Sequence, residues 1–305
     1  MQSFSAKHPF QIDMPIYHIF TKTIYDIFMI KNKMKFLRIL PVLFILSGCN
    51  SQSHEEIDLS KYFSKINGTA VFYNPAADKY KIYNYKSSVK RSSPCSTFKI
   101  MSAYIALSEK IITPQNSTIA WNRKNYEFSS WNRNMNLREA FNASCVWYFR
   151  SVIDKIPPQT IAAYLQKYHY GNRDISDWNG DLNTNTEVKE LKGFWIESSL
   201  KISPIEQVDF LKKLFQENNS VTEYLKDIMQ VADTPVKVYG KTGLGIRDNL
   251  VENAWFVGFY EKNNQVVYFA VRLDDKRNKI DDYRHKASQY ARQTALKIIN
   301  NENIF

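Results

Sequence analysis

The chain has 305 residues, 44% of them hydrophobic, and a formal charge of +11. That apolar share is ordinary for a packed core, and residues 50–305 fit one large domain. Residues 1–49 hold six Lys/Arg and two Asp/Glu, which leaves +7 for the rest. No nucleic-acid motif accompanies that charge, so it reads as a solvated basic surface that helps attract anionic substrates. Three Cys and five His lack the spacing of a zinc site, which argues against a metal.

Taken in chain order, Met34-Lys35-Phe36-Leu37-Arg38 and apolar Ile39 to Leu46 have the basic start and short apolar run of a secretory signal. The run is too short to span a bilayer as a helix. Leu46-Ser47-Gly48-Cys49 resembles the lipobox of bacterial lipoproteins, in which the cysteine is lipidated. Residues 34–49 are thus expected to be a signal peptide, with export to the periplasmic side and anchoring to a bacterial membrane through Cys49. Residues 1–33 are expected to be an upstream extension, with an interfacial helix as the lesser alternative. Residues 50–57 follow as a polar tether, and 58–305 as the folded domain.

Within the domain, Gly68 to Tyr73 and Lys79 to Tyr85 read as a hairpin around the turn Asn74-Pro75-Ala76-Ala77-Asp78. A helix is expected from Phe98 to Leu107. Asn136-Leu137-Arg138-Glu139 has the spacing of a capping box and starts a helix ending near Ser144. Pro157-Pro158 opens another to Lys167, and Ser203-Pro204-Ile205-Glu206 a third. Val236-Lys237-Val238-Tyr239 alternates as a strand does, running into Lys241-Thr242-Gly243 at its end. Ala254 to Tyr260 and Gln265 to Leu273 form a second hairpin through Lys262-Asn263-Asn264, and Lys286 to Asn300 has the spacing of a closing helix.

Chemistry concentrates in a few of these places. Ser-x-x-Lys occurs three times, at Ser87/Lys90, Ser96/Lys99 and Ser198/Lys201, but only Ser96/Lys99 opens a long apolar helix. Three residues apart on one helix face, the Lys99 amine can reach the Ser96 hydroxyl and make it a nucleophile. The competing reading is a helix-capping serine beside a solvated lysine. Lys241-Thr242-Gly243 offers a cation, a hydroxyl and a glycine that lets a ligand approach the backbone. Alternatively Gly243 and Gly245 supply positive φ for a turn.

Ser-x-x-Lys with Lys-Thr-Gly is a signature of serine β-lactamases and penicillin-binding proteins. With Ser144-Cys145-Val146, Tyr170-Gly171-Asn172 and Trp195 in Phe194-Trp195-Ile196-Glu197, the chain resembles the class D serine β-lactamases from about Asp58 onward. The resemblance implies an α/β (α+β) fold, an antiparallel sheet flanked by helices plus a helical half, with the active site between them. It implies Ser96 as nucleophile and Lys99, carboxylated by carbon dioxide, as general base, with no other cofactor. Val146, Trp195 and Ile196 would line the carbamate pocket, the Trp195 indole donating to the carbamate. Ser144 would relay a proton to the leaving nitrogen with help from Lys241. Backbone N–H groups of Ser96 and Leu244 would form the oxyanion hole. Thr242 and Arg284 would bind the substrate carboxylate, Gly243 and Tyr170 would be further substrate-binding residues, and Tyr170 and Asn172 would shape the opposite wall.

β-Lactam hydrolysis is therefore the first expectation. A β-lactam-binding sensor or a penicillin-binding protein, acylated without efficient turnover, is the alternative. It is set second because such sensors usually carry membrane spans and a cytoplasmic effector, and because Tyr170-Gly171-Asn172 and Trp195 weaken the penicillin-binding-protein reading. Cys95 and Cys145 flank two of the motifs, and a disulfide between them or two buried thiols both remain open.

Overall fold

A computed structural model describes residues 54–63, 66–231, 236–248, 250–274 and 283–305, with backbone only at 283–285. The extension, the signal segment and Cys49 lie outside the described residues. Six strands form one sheet: β1 (His54–Glu56), β2 (Gly68–Asn74), β3 (Lys79–Tyr83), β4 (Lys237–Arg247), β5 (Leu250–Lys262) and β6 (Gln265–Leu273). Their spatial order is β1-β3-β2-β6-β5-β4. All neighbours run antiparallel except β1 and β3.

The sheet separates two apolar cores, and strand periodicity explains how. In β2, Val71 and Tyr73 face the helical half while Ala70 and Phe72 face the other side, so every residue of this inner strand is buried. On that other side lie α1 (Ser60–Phe63) and the closing helix, α9 (Tyr283–Asn301). Ala287, Ala291 and Ala295 recur every fourth residue, which gives α9 a smooth stripe to lay on the sheet. A short α2 (Tyr85–Ser88) follows β3.

The helical half contains α3 (Lys99–Ser108), α4 (Leu137–Asn142), α5 (Val146–Ile153), α6 (Pro158–Lys167), α7 (Pro204–Phe215) and α8 (Ser220–Met229). Buried from Lys99 to Leu107, α3 is its central element. Both arms of the capping boxes form at Asn136/Glu139 and Ser203/Glu206, and a third closes between Asn219 and Thr222.

Several expectations shift. His54–Glu56, read as tether, is an edge strand, held where Lys79 and Lys81 pair with Glu55. β3 stops at Tyr83 because Asn84 turns left-handed (φ 57) and caps α2 with its side chain. β4 continues to Arg247, so Lys241-Thr242-Gly243 lies inside the strand. The β5–β6 turn is Asn263-Asn264 alone, both at positive φ (52 and 59), the geometry a two-residue hairpin needs.

Candidate active site

Ser96 sits in a 3-10 turn, Cys95–Phe98, that leads into α3. With three residues per turn, positions three apart stack directly, and Lys99 Nζ donates to Ser96 Oγ at 2.7 Å. An uncharged amine in the same place accepts the hydroxyl proton instead. Burial favours that form: Lys99 is 1% exposed, no carboxylate among the described residues pairs with it, and desolvation lowers its pKa to about 8. The Phe149 ring, one turn beyond Val146 on α5, lies 5.4 Å from Lys99 Nζ and supplies part of that apolar wall.

A second hydroxyl–amine pair faces the first from β4. Lys241 Nζ donates to Ser144 Oγ at 2.9 Å. Desolvation, followed by repulsion from Lys99, holds the Lys241 amine well below its ordinary pKa. The site therefore resists carrying two ammonium charges at once, which leaves an amine free to pass protons. Ser144 adopts φ 54, which ends α4 and turns its hydroxyl toward β4; a non-glycine residue held there is strained.

Glycines set how closely these segments meet. Gly243 and Gly245 lack positive φ, so neither is a turn glycine. A Cβ on Gly243 would sit 3.0 Å from Pro94 O and from Thr97 Cγ2. The glycine thus lets β4 approach the protein's own Ser96 turn closely. A Cβ on Gly245 would overlap the Glu197 carboxylate.

The Trp195 segment completes the wall. Buried Trp195 stacks on Phe98 with centroids 5.8 Å apart, and its carbonyl accepts from the Cys95 N–H at 2.9 Å and from Ser93 Oγ at 2.9 Å. Val146 begins α5, and both Val146 and Ile196 pack partly buried against the same core. Asn172 pins this segment by donating to the Ser199 carbonyl (2.8 Å) and accepting from the Lys201 N–H (2.8 Å). Gly171, at φ 53, passes so near the Lys201 carbonyl that no side chain fits.

Tyr170 differs from its expected placement. It is fully buried between Phe98 (5.5 Å) and Phe210 (4.9 Å), so it supports the wall from behind and leaves no surface exposed. Thr242 and Leu244 are half-buried and alternate with Lys241 and Gly243 along β4, the edge strand of the sheet. An edge leaves backbone groups without a strand partner, as an oxyanion donor at Leu244 requires. The Ser96 N–H lies in the first turn of its 3-10 segment, where N–H groups have no partner within the turn. Arg284 begins α9, but its side chain lies outside the described residues.

Cys95 and Cys145 are buried free thiols. Among the described residues no cluster of three His, Cys, Asp or Glu side chains forms a metal site. Phe149, Phe141 (5.6 Å from Lys241 Nζ) and Glu197 are site residues that motif reading left without roles. Phe149 was findable, since it follows Val146 by three residues on one helix face; nothing local marks Phe141.

The family model of the penicillin-binding protein transpeptidase domain matches residues 68–300. The chain belongs to that transpeptidase family. Among the relatives of this transpeptidase-type domain is the regulatory protein BlaR1 of Staphylococcus aureus, 37% identical over 73% of this chain and 37% of the relative. Another is the probable β-lactamase YbxI of Bacillus subtilis, 31% identical over 77% of this chain and 87% of the relative. The chain thus spans little more than a third of the length of the regulatory protein BlaR1 relatives it matches. Its fold matches the C-terminal domain of the Bacillus licheniformis BlaR penicillin receptor, with a TM-score of 0.71, 32% identity and 83% and 97% of the two chains covered. It also matches a class D β-lactamase from Bacillus subtilis, with a TM-score of 0.67, 29% identity and 80% and 94% covered.

Proposed function

We propose that β-lactams acylate Ser96 and that the domain holds the acyl group, as a β-lactam sensor would. The observation that carries this reading is the facing arrangement of Ser96–Lys99 and Ser144–Lys241, two hydroxyls each held by a buried amine. Uncharged Lys99 takes the Ser96 proton as Oγ attacks the lactam carbonyl carbon. The Ser96 and Leu244 N–H groups stabilise the oxyanion, the carbonyl C–N bond breaks, and Ser144 delivers its proton to the departing nitrogen, being reprotonated through Lys241 by the proton that Lys99 took. An ester on Ser96 and a ring-opened amine result. Thr242 and Arg284 are the residues proposed to meet the drug's carboxylate.

Retention of the acyl group comes first because the BlaR1 relative is more similar in sequence than the probable β-lactamase, and the BlaR domain is the better structural match. Membrane spans and an effector bear little on this order, since the BlaR domain alone covers the described fold. Hydrolysis is the second reading, favoured by one observation: a lysine amine with a pKa near 8 in an apolar pocket suits carbon dioxide capture. A carbamate there would supply a general base for the attacking water, with Trp195 as its proposed donor. Lipid anchoring through Cys49 and export are proposed from the sequence motif alone.

Mixing protein with an equimolar penicillin and following intact mass decides between the two. A Ser96 adduct that persists for hours supports the sensor reading; an adduct that decays while hydrolysed drug accumulates supports the hydrolase. Finding neither an adduct nor hydrolysed drug contradicts both.

A further inference from the structure

Beneath the nucleophile lies a buried polar hub centred on Glu197, which is 3% exposed. Its carboxylate accepts from the Cys95 thiol at 3.2 Å and from Asn253 Nδ2 at 3.2 Å, and lies 3.9 Å from Arg247. Its backbone N–H donates to Ser93 Oγ (2.8 Å), and its carbonyl accepts from Arg247 Nη2 (3.4 Å). Trp255 closes the ring by donating Nε1 to Ser93 O (3.0 Å) and Asn253 Oδ1 (2.8 Å). Three separate stretches of chain thus end on one carboxylate. Ser93 and Cys95 precede the nucleophile, Glu197 is two residues past Trp195, and Asn253 and Arg247 belong to the β5–β4 hairpin beside Leu244.

Two backbone features mark this arrangement as selected against local preference. Cys95 (φ 49) and Glu197 (φ 47) are both left-handed without being glycine, a conformation that persists only where surroundings enforce it. Gly245 has ordinary φ, yet a side chain there would strike Glu197. The strain therefore sits where the hub grips the two loops, and the glycine sits where the strand must let the carboxylate in.

We infer that Glu197 is a positioning residue which, through Cys95, Asn253 and Arg247, sets the distance between the Ser96 turn, the Trp195 wall and the Leu244 edge. It touches neither the β-lactam nor the reacting atoms. Its action passes through the 3-10 turn: the thiol bond fixes the residue before Ser96, and the shared Trp195 carbonyl contacts fix the wall beside Lys99. This role rests on the acylation of Ser96 proposed above. A carboxylate suits it because one group must accept from a thiol and an amide while facing a guanidinium; an amide presents a donor to one of them.

The test compares acylation rate and melting temperature for Glu197→Gln, for half-exposed Arg247→Gln, and for Glu217→Gln, whose part-buried network reaches α3 only at Tyr104. A small displacement of reacting groups is costly, so Glu197→Gln should acylate with a fluorescent penicillin roughly 10- to 100-fold more slowly. Arg247→Gln should slow acylation in the same direction. The double variant should be no slower than Glu197→Gln alone, since the two act as one unit. Glu217→Gln should lose melting temperature but not rate. Arg247→Gln carries the test should Glu197→Gln fail to fold. Wild-type rates in the folded hub variants, or an equal rate loss in Glu217→Gln, would overturn the inference. A wild-type protein that shows neither a Ser96 adduct nor hydrolysed drug would instead remove the acylation reading beneath it.

Discussion

Two polar networks meet α3, one buried at its start and one part-buried farther along, and they treat charge in opposite ways. At its start Lys99 meets Ser96, an aromatic ring and no described carboxylate, so desolvation pushes its pKa down to about 8. Farther along, Tyr104 (2.6 Å) and Tyr168 (2.6 Å) both donate to Glu217, which also pairs with Lys167 at 2.7 Å. Burial raises the Glu217 pKa, but the bonds from Lys167, Tyr104 and Tyr168 outweigh it and bring it down to about 2. One end keeps its ion charged and stable; the other withholds the partner that would keep an amine protonated. A lysine proposed to act as a base is left uncompensated, a cost in stability that would be accepted for reactivity.

The sharpest way to break this contrast is Lys99→Met. It should lower the acylation rate by about 10²–10⁴-fold, the usual worth of a positioned base, without lowering the melting temperature, because a volume-matched apolar chain replaces an unpaired amine. Loss of stability with retained acylation would invert the comparison. Ser144→Ala should follow with a smaller loss of roughly tenfold or more, since it removes the proton path between Lys241 and the leaving nitrogen.

Acidity separates the two ends next. Lys99 is protonated below about 8 and uncharged above it, so acylation should rise with pH through that value, falling about tenfold per unit below it. Added bicarbonate should sharpen the dependence if the carbamate forms. In stability the same depressed amine is unfavourable below about 8, and that penalty is relieved as pH rises toward the ordinary 10.5. Glu217 does the reverse: its contribution is full above the ordinary 4.5 and is lost as pH falls toward 2. Glu217→Gln should cost about 1–3 kcal/mol by urea titration and leave acylation unchanged.

How much of this was legible beforehand follows from how local each feature is. The Ser96–Lys99 pair was readable because three-residue spacing on one turn is a local fact, and both capping boxes were readable for the same reason. The Lys241–Ser144 pairing spans 97 residues and was visible only through the resemblance. β1 was missed because a three-residue edge strand rich in polar side chains has no apolar alternation to betray it. Tyr170 was misplaced toward the ligand because its burial depends on Phe98 and Phe210, which come from distant parts of the chain. Gly243 and Gly245 were read as turn or ligand glycines, whereas the tertiary neighbours that need them, the Ser96 turn and Glu197, leave no mark in the strand itself.

Peptide mapping of the protein after brief exposure to a fluorescent penicillin tests the central claim most directly. One label per chain on the Ser96 peptide, absent from Ser96→Ala and strongly reduced in Lys99→Met, is the predicted result. A label on any other residue, or an equally labelled Ser96→Ala protein, would contradict it.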